Sequence, residues 1–166
     1  MCDCLRERWK MRSLVRVEIH ETEKHAGIID VRDFLSSFNA QPLIPIFSVN
    51  PSDYLNWVRN NITFVPEDSN DYWKFPEETL KDGFGDCEDG AILLANMLLQ
   101  AGFPYWKVLV SIYETPQFHV VVVYDTQLLD WVNPKLKEIP STWRLWYCFN
   151  RKNAYTTKEH MKEWKK

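Results

Sequence analysis

No stretch of this chain is apolar for long enough to cross a bilayer as a helix, which excludes a helical membrane protein. No basic stripe runs through it either. Its 20 lysines and arginines are outnumbered by 23 aspartates and glutamates, and the basic residues are scattered except at the two ends. A net charge of −3 recruits no nucleic acid, so the abundant aromatics, eight tryptophans among them, are expected in the core and in groove lining. The opening Met1-Cys2-Asp3-Cys4-Leu5-Arg6-Glu7-Arg8 lacks the apolar centre of an export signal, so a cytoplasmic protein is expected. Four cysteines make no disulfide framework, because Cys2 and Cys4 stand too close together to be a structural pair. A zinc site at Cys2 and Cys4 would need two more ligands, such as His20 and His25; an ordinary exposed terminus is the favoured reading. There is no internal repeat, low-complexity tract or linker. With 166 residues, the whole chain 1–166 is expected to form one domain with a substantial core.

What is present is concentrated in Gly83-Phe84-Gly85-Asp86-Cys87-Glu88-Asp89-Gly90-Ala91-Ile92-Leu93-Leu94-Ala95. Glycines and acids come first, and an apolar helix follows. Asp86 can cap the free amides of the first turn, and Glu88 and Asp89 suit the positive end of the dipole. Ile92, Leu93, Leu94, Met97, Leu98 and Leu99 recur at helical spacing until Gly102 and Pro104 end the helix. Cys87 then lies in the first turn of a buried helix. There, unpaired amides and the dipole favour a thiolate, and a depressed thiol pKa is expected, although the flanking carboxylates oppose it. Taken alone, Cys87 would read as a small buried hydrophobe. Glu88 and Asp89 point in different directions around the helix, so one of them is expected to face solvent or a basic side chain.

Before this helix, alternation around Leu14, Val15 and Val17 suggests a first strand, and 28–38 a short helix capped by Asp30. The proline-interrupted segment 41–47 reads as packed and extended. A helix is expected over 53–61, with Tyr54, Leu55, Trp57 and Val58 inward, and one helical turn over 76–80. After the Cys87 helix the period switches to two. Strands are expected over 107–113, 119–124 and 128–132, joined by short turns as an antiparallel meander, with another strand over 143–149 and a short basic helix or frayed end after it. The class is α+β, a helical half followed by a sheet.

A thiolate nucleophile needs a base, and the base an orienter. His119 opens a strand, and Asp130 on the next strand falls near the same end of the ladder. Alone, His119 would more often be a satisfied core histidine, and Asp130 a turn cap or a lysine's partner.

Together, Gly85-Asp86-Cys87-Glu88-Asp89, Phe118-His119-Val120-Val121 and Leu128-Leu129-Asp130 resemble the transglutaminase-like superfamily, whose fold is papain-like. More narrowly, they look like the bacterial transglutaminase-like cysteine proteinases. The resemblance spans roughly 73–134. It implies a nucleophile helix packed on an antiparallel sheet, with Cys87 as nucleophile, His119 as general base and acid, and Asp130 as orienter. Asn133 is a rival orienter, because papain-like enzymes can use asparagine. The Cys87 amide would be one oxyanion donor; Trp73 or Tyr72 could supply another, and a core or lid role fits either equally. In some relatives acids beside the cysteine bind calcium. Asp86 and Glu88 are the candidates here, with helix capping favoured, and no cofactor is required. The implied activity is cysteine-dependent acyl transfer on a protein or peptide substrate. Peptide or isopeptide hydrolysis is favoured over transglutamination or glutamine deamidation. The rival class is a non-catalytic binding module, against which an intact triad argues.

Overall fold

A computed structural model describes residues 15–17, 20–21, 29–35, 44, 46–66 and 72–157. In chain order the elements are β1 (Val15–Val17), β2 (His20–Glu21), β3 (Ile29–Asp30), a 3-10 segment (Val31–Leu35) and helix α1 (Pro51–Asn61). Then come β4 (Thr63–Phe64), α2 (Pro76–Asp82), β5 (Phe84–Gly85) and α3 (Cys87–Gln100). After a 3-10 turn (Tyr105–Lys107) follow β6 (Val108–Thr115), β7 (Gln117–Tyr124), β8 (Gln127–Leu129), β9 (Arg144–Phe149) and β10 (Ala154–Thr156).

Helix α3 is apolar on every side, so it must be enclosed. Every residue from Glu88 to Leu99 is buried, between α1 and α2 on one flank and β6 and β7 on the other. Beyond the acids of its first turn, Asn96 is a buried polar residue inside it, and its amide is satisfied: Nδ2 donates to the carbonyls of Phe34 and Ile92, both at 2.8 Å. That bond ties the 3-10 segment to the helix. The sheet order is β1-β10-β9-β6-β7-β8, antiparallel throughout. Alternation along β7 sends Val120 and Val122 to the main core under α3. It sends Val121 and Val123 to a second cluster with Tyr113 and Leu128, roofed by Leu136, Ile139, Trp143 and Leu145.

The expected mixture of helices with an antiparallel sheet is what the chain forms, with local corrections. Ile29 and Asp30 form a strand pair, and Val31–Leu35 after them is a 3-10 segment rather than an α-helix. Helix α1 starts two residues earlier than expected, because Pro51 suits a first helical position and the Asn50 side chain accepts the Ser52 amide at 3.0 Å. The β6–β7 ladder runs on to Thr115 opposite Gln117, so His119 is the third residue of its strand and not its opener. Strand β8 stops at Leu129, so Asp130 lies just past it. β10, which joins β9 to β1, was not anticipated. Cys2, Cys4 and His25, residues 36–43, 67–71 and the tail after Thr157 lie outside the described residues. Among the described residues, no helix is long and apolar enough to cross a membrane.

Candidate active site

The turn leading into α3 is built by close packing. β4 and β5 run parallel, with the Thr63 amide on the Gly83 carbonyl and the Val65 amide on the Gly85 carbonyl, both at 2.9 Å. A Cβ on Gly85 would come within 2.6 Å of the Asp89 Cβ, so only glycine lets Asp89 fold back over the turn. Asp89 is fully buried. It accepts the Lys74 amide at 2.8 Å and the Asp86 amide at 3.3 Å, the latter as one half of a capping box with Asp86. Burial and then Asp86 push its carboxyl up to about 7, while the two amides and Lys74 pull it down. Glu88 is buried as well, so of the two expected surroundings, solvent or a basic side chain, neither acid has solvent, while Lys74 lies near enough Asp89 to pull its carboxyl down.

The Cys87 thiol lies at the helix start, as the sequence placed it, but its chemistry differs from expectation. Sγ donates to Glu88 Oε2 at 3.2 Å. Burial and then Glu88 push the thiol well above its ordinary value, and an amide bond from Val120 pulls it back only in part. Desolvation and the neighbouring carboxylates therefore outweigh the helix start and favour the thiol over the thiolate. The Val120 contact also locates the site. β8 pairing ends at Val122 opposite Leu129, so the β7 edge beyond that point is free to meet the sulfur. Among the described residues, no hydrogen bond joins Sγ directly to the His119 ring.

His119, next to Val120, is brought together with Asp130: Nε2 and Oδ2 lie 2.8 Å apart. Asp130 is fully buried and multiply held. Oδ1 accepts the Val132 amide at 3.0 Å and the Asn133 amide at 3.2 Å, and Arg59 Nη2 donates to its main-chain carbonyl. Asn133 Oδ1 accepts the Lys135 amide at 3.2 Å, and among the described residues no hydrogen bond joins its side chain to the His119 ring. The Trp143 ring meets the imidazole edge-on at 5.3 Å.

Trp73 is buried in the main core against Phe34 and Phe149, the packing role among those considered. Tyr72 directs its hydroxyl to Glu78 Oε2 at 2.8 Å; burial and that carboxylate push the phenol up to about 12. One residue, Arg59, went unnoticed in the sequence, and Trp131 was noted only as part of the segment 131–134, without its contact. Arg59 is a lone cation on α1, 71 residues from Asp130, and no local pattern marks it. Trp131 donates from Nε1 to the Cys87 carbonyl at 3.0 Å, and its adjacency to Asp130 was the available signal. Among the described residues, no group of three or more histidine, cysteine, aspartate and glutamate side chains is arranged to hold a metal.

This is the arrangement of a papain-like fold, with a cysteine-bearing helix start against an antiparallel sheet. The sequence profile of the transglutaminase-like superfamily matches residues 50–135, over half of the chain, and the chain belongs to that superfamily. Among solved structures it is similar to LapG of Legionella pneumophila, a bacterial transglutaminase-like cysteine protease. The identity is 25%, over 72% of this chain and 77% of that one, with a TM-score of 0.58. EGTA-treated LapG matches with 26% identity, coverage of 68% and 70%, and a TM-score of 0.58. Calcium-bound LapG matches with 26% identity, coverage of 68% and 72%, and a TM-score of 0.57. A comparison with curated protein sequences finds no match.

Proposed function

We propose that the chain is a single transglutaminase-like domain that performs cysteine-dependent acyl transfer, acting by hydrolysis on peptide or isopeptide bonds of protein substrates. The observation that carries this reading is the His119–Asp130 pair, 2.8 Å apart, on the strand whose next residue, Val120, lies near enough the Cys87 thiol to pull its pKa down. Nε2 is committed to Asp130, so Nδ1 is the nitrogen left to serve the thiol.

Because the thiol is favoured over the thiolate, His119 acts as a general base during attack rather than as half of a preformed ion pair. The thiol proton passes to Nδ1 as Sγ bonds to the carbonyl carbon. The carbonyl electron pair moves to oxygen, to which the Cys87 main-chain amide at the helix start can donate a hydrogen bond. The pair then returns as the C–N bond breaks, and His119 protonates the departing amine. Water, deprotonated by the same ring, attacks the thioester; the acid leaves and the thiol is restored. Asp130 supports the imidazolium formed between these steps, and Arg59 and the two amides hold Asp130 in place. An amine in place of water would give transamidation, and attack on a glutamine side chain followed by water would give deamidation.

Asp86 and Glu88 are the residues that would hold calcium. Their donor type fits, since calcium takes about six to eight oxygens, and main-chain carbonyls and water would have to complete the set. Bound calcium would neutralise carboxylates beside the thiol. No step of the transfer runs through it, and capping is the role the geometry favours for Asp86.

The test is product analysis. Intact protein is incubated with a peptide library and a primary amine, and the products are read by mass spectrometry alongside Cys87→Ala and His119→Ala. New peptide termini, lost in both variants, are expected. Amine incorporation or ammonia release without new termini would move the reading to transamidation or deamidation. No Cys87-dependent product would return the chain to the binding-module class.

A further inference from the structure

We propose that Trp131 is a positioning residue that sets the nucleophile against the histidine, an inference that rests on the acyl-transfer reading above. The dipeptide Asp130-Trp131 touches both partners of the reaction. Asp130 holds the imidazole through Oδ2. The next side chain reaches the other way and donates its indole N–H to the Cys87 carbonyl at 3.0 Å. That carbonyl belongs to the residue that carries the sulfur, so a shift of the indole shifts the nucleophile.

Three features fix the indole. It is almost fully buried, so its N–H needs the partner it has. It lies flat against the backbone of Gly90, where an added Cβ would sit 2.1 Å from Cε2 and 2.3 Å from Nε1; helix and ring can approach this closely only because that position is glycine. The Phe64 ring closes on it edge-on at 5.8 Å. The turn that carries it is anchored by Arg59 on the Asp130 carbonyl and by the Val132 and Asn133 amides on Oδ1. The helix start and the histidine strand are thus joined through one short turn, with the Asp130 acceptor on the histidine and the Trp131 donor on the helix start. A phenylalanine at 131 would keep the ring against Gly90 and lose only the donor.

The test is the rate at which iodoacetamide alkylates Cys87 in the full chain, followed by peptide mass spectrometry in a double-mutant cycle of Trp131→Phe and His119→Ala, with melting curves to establish folding. His119→Ala slows alkylation, because the base is gone. Trp131→Phe slows it about tenfold, the effect of losing one buried hydrogen bond, and adds nothing in the His119→Ala background. Phe64→Ala, a change at a half-exposed ring, gives a smaller fall of the same kind and keeps the question open to test if Trp131→Phe does not fold. An unchanged rate in the folded Trp131 variant, or in Phe64→Ala should that variant be the one that folds, overturns the inference. So does an equal fall with and without His119, which would mark a purely structural role. A rate insensitive to His119→Ala removes the acyl-transfer reading itself, and the inference with it.

Discussion

In the proposed mechanism Asp130 decides how well His119 can carry a proton, since its carboxylate is buried, fixed by two amides and 2.8 Å from the ring. Asp130→Asn keeps the shape but replaces the acceptor facing Nε2–H with a group that cannot balance an imidazolium. Peptide cleavage should fall by on the order of a thousandfold or more, with the fold intact by circular dichroism. Asn133→Ala should leave the rate within about threefold, because its side chain bonds the Lys135 amide and not the ring. Equal losses in the two variants would restore Asn133 as orienter. The juxtaposition of His119 and Asp130 could be read from their order around a short turn, since a hairpin brings such positions together. The contacts of Arg59 and Trp131 could not, because each partner is distant in sequence and a lone arginine or tryptophan carries no periodicity.

The start of α3 is an element held by its acids. Asp89 accepts two main-chain amides in a buried turn, and removing it leaves both donors unpaired. Asp89→Ala should therefore cost about 1–3 kcal/mol in urea denaturation. A variant as stable as the parent would mean that relief of repulsion with Asp86 offsets the lost bonds. The helix itself was legible because apolar residues at helical spacing, an acidic start and a terminal glycine all agree. The strand ends were less so. Ladder length depends on the partner strand, so β7 extends back to Gln117 while β8 stops at Leu129. β10 is only three residues long and exists by pairing with β9 and β1, which no local pattern announces. The thiol's protonation was misjudged for a related reason. The helix start is visible in sequence, but the enclosure that desolvates the sulfur and turns Glu88 onto it is a product of packing.

At the scale of the whole molecule, membership of the transglutaminase-like superfamily accounts for the span 50–135, and the sheet continues beyond it through β9 and β10. The segments around Cys87, His119 and Asp130 together were enough to identify the superfamily. It could not give the sheet order, in which β9 returns to β6 on the side away from β7. Calcium linkage belongs to this scale, because an ion bound only by the native state stabilises all of it by mass action. If Asp86 and Glu88 hold calcium, the melting temperature rises with calcium relative to EGTA, and Asp86→Ala or Glu88→Ala abolishes the rise. An unchanged melting temperature leaves these acids as helix caps alone. The central claim, that Cys87 carries the acyl group, is tested most directly by acid-quench mass spectrometry of the intact protein caught while turning over a peptide library. The account predicts an added acyl mass on the Cys87 peptide, discharged on continued incubation with water and never formed in His119→Ala. Cleavage that proceeds with Cys87 unmodified, or an adduct confined to another residue, would contradict it.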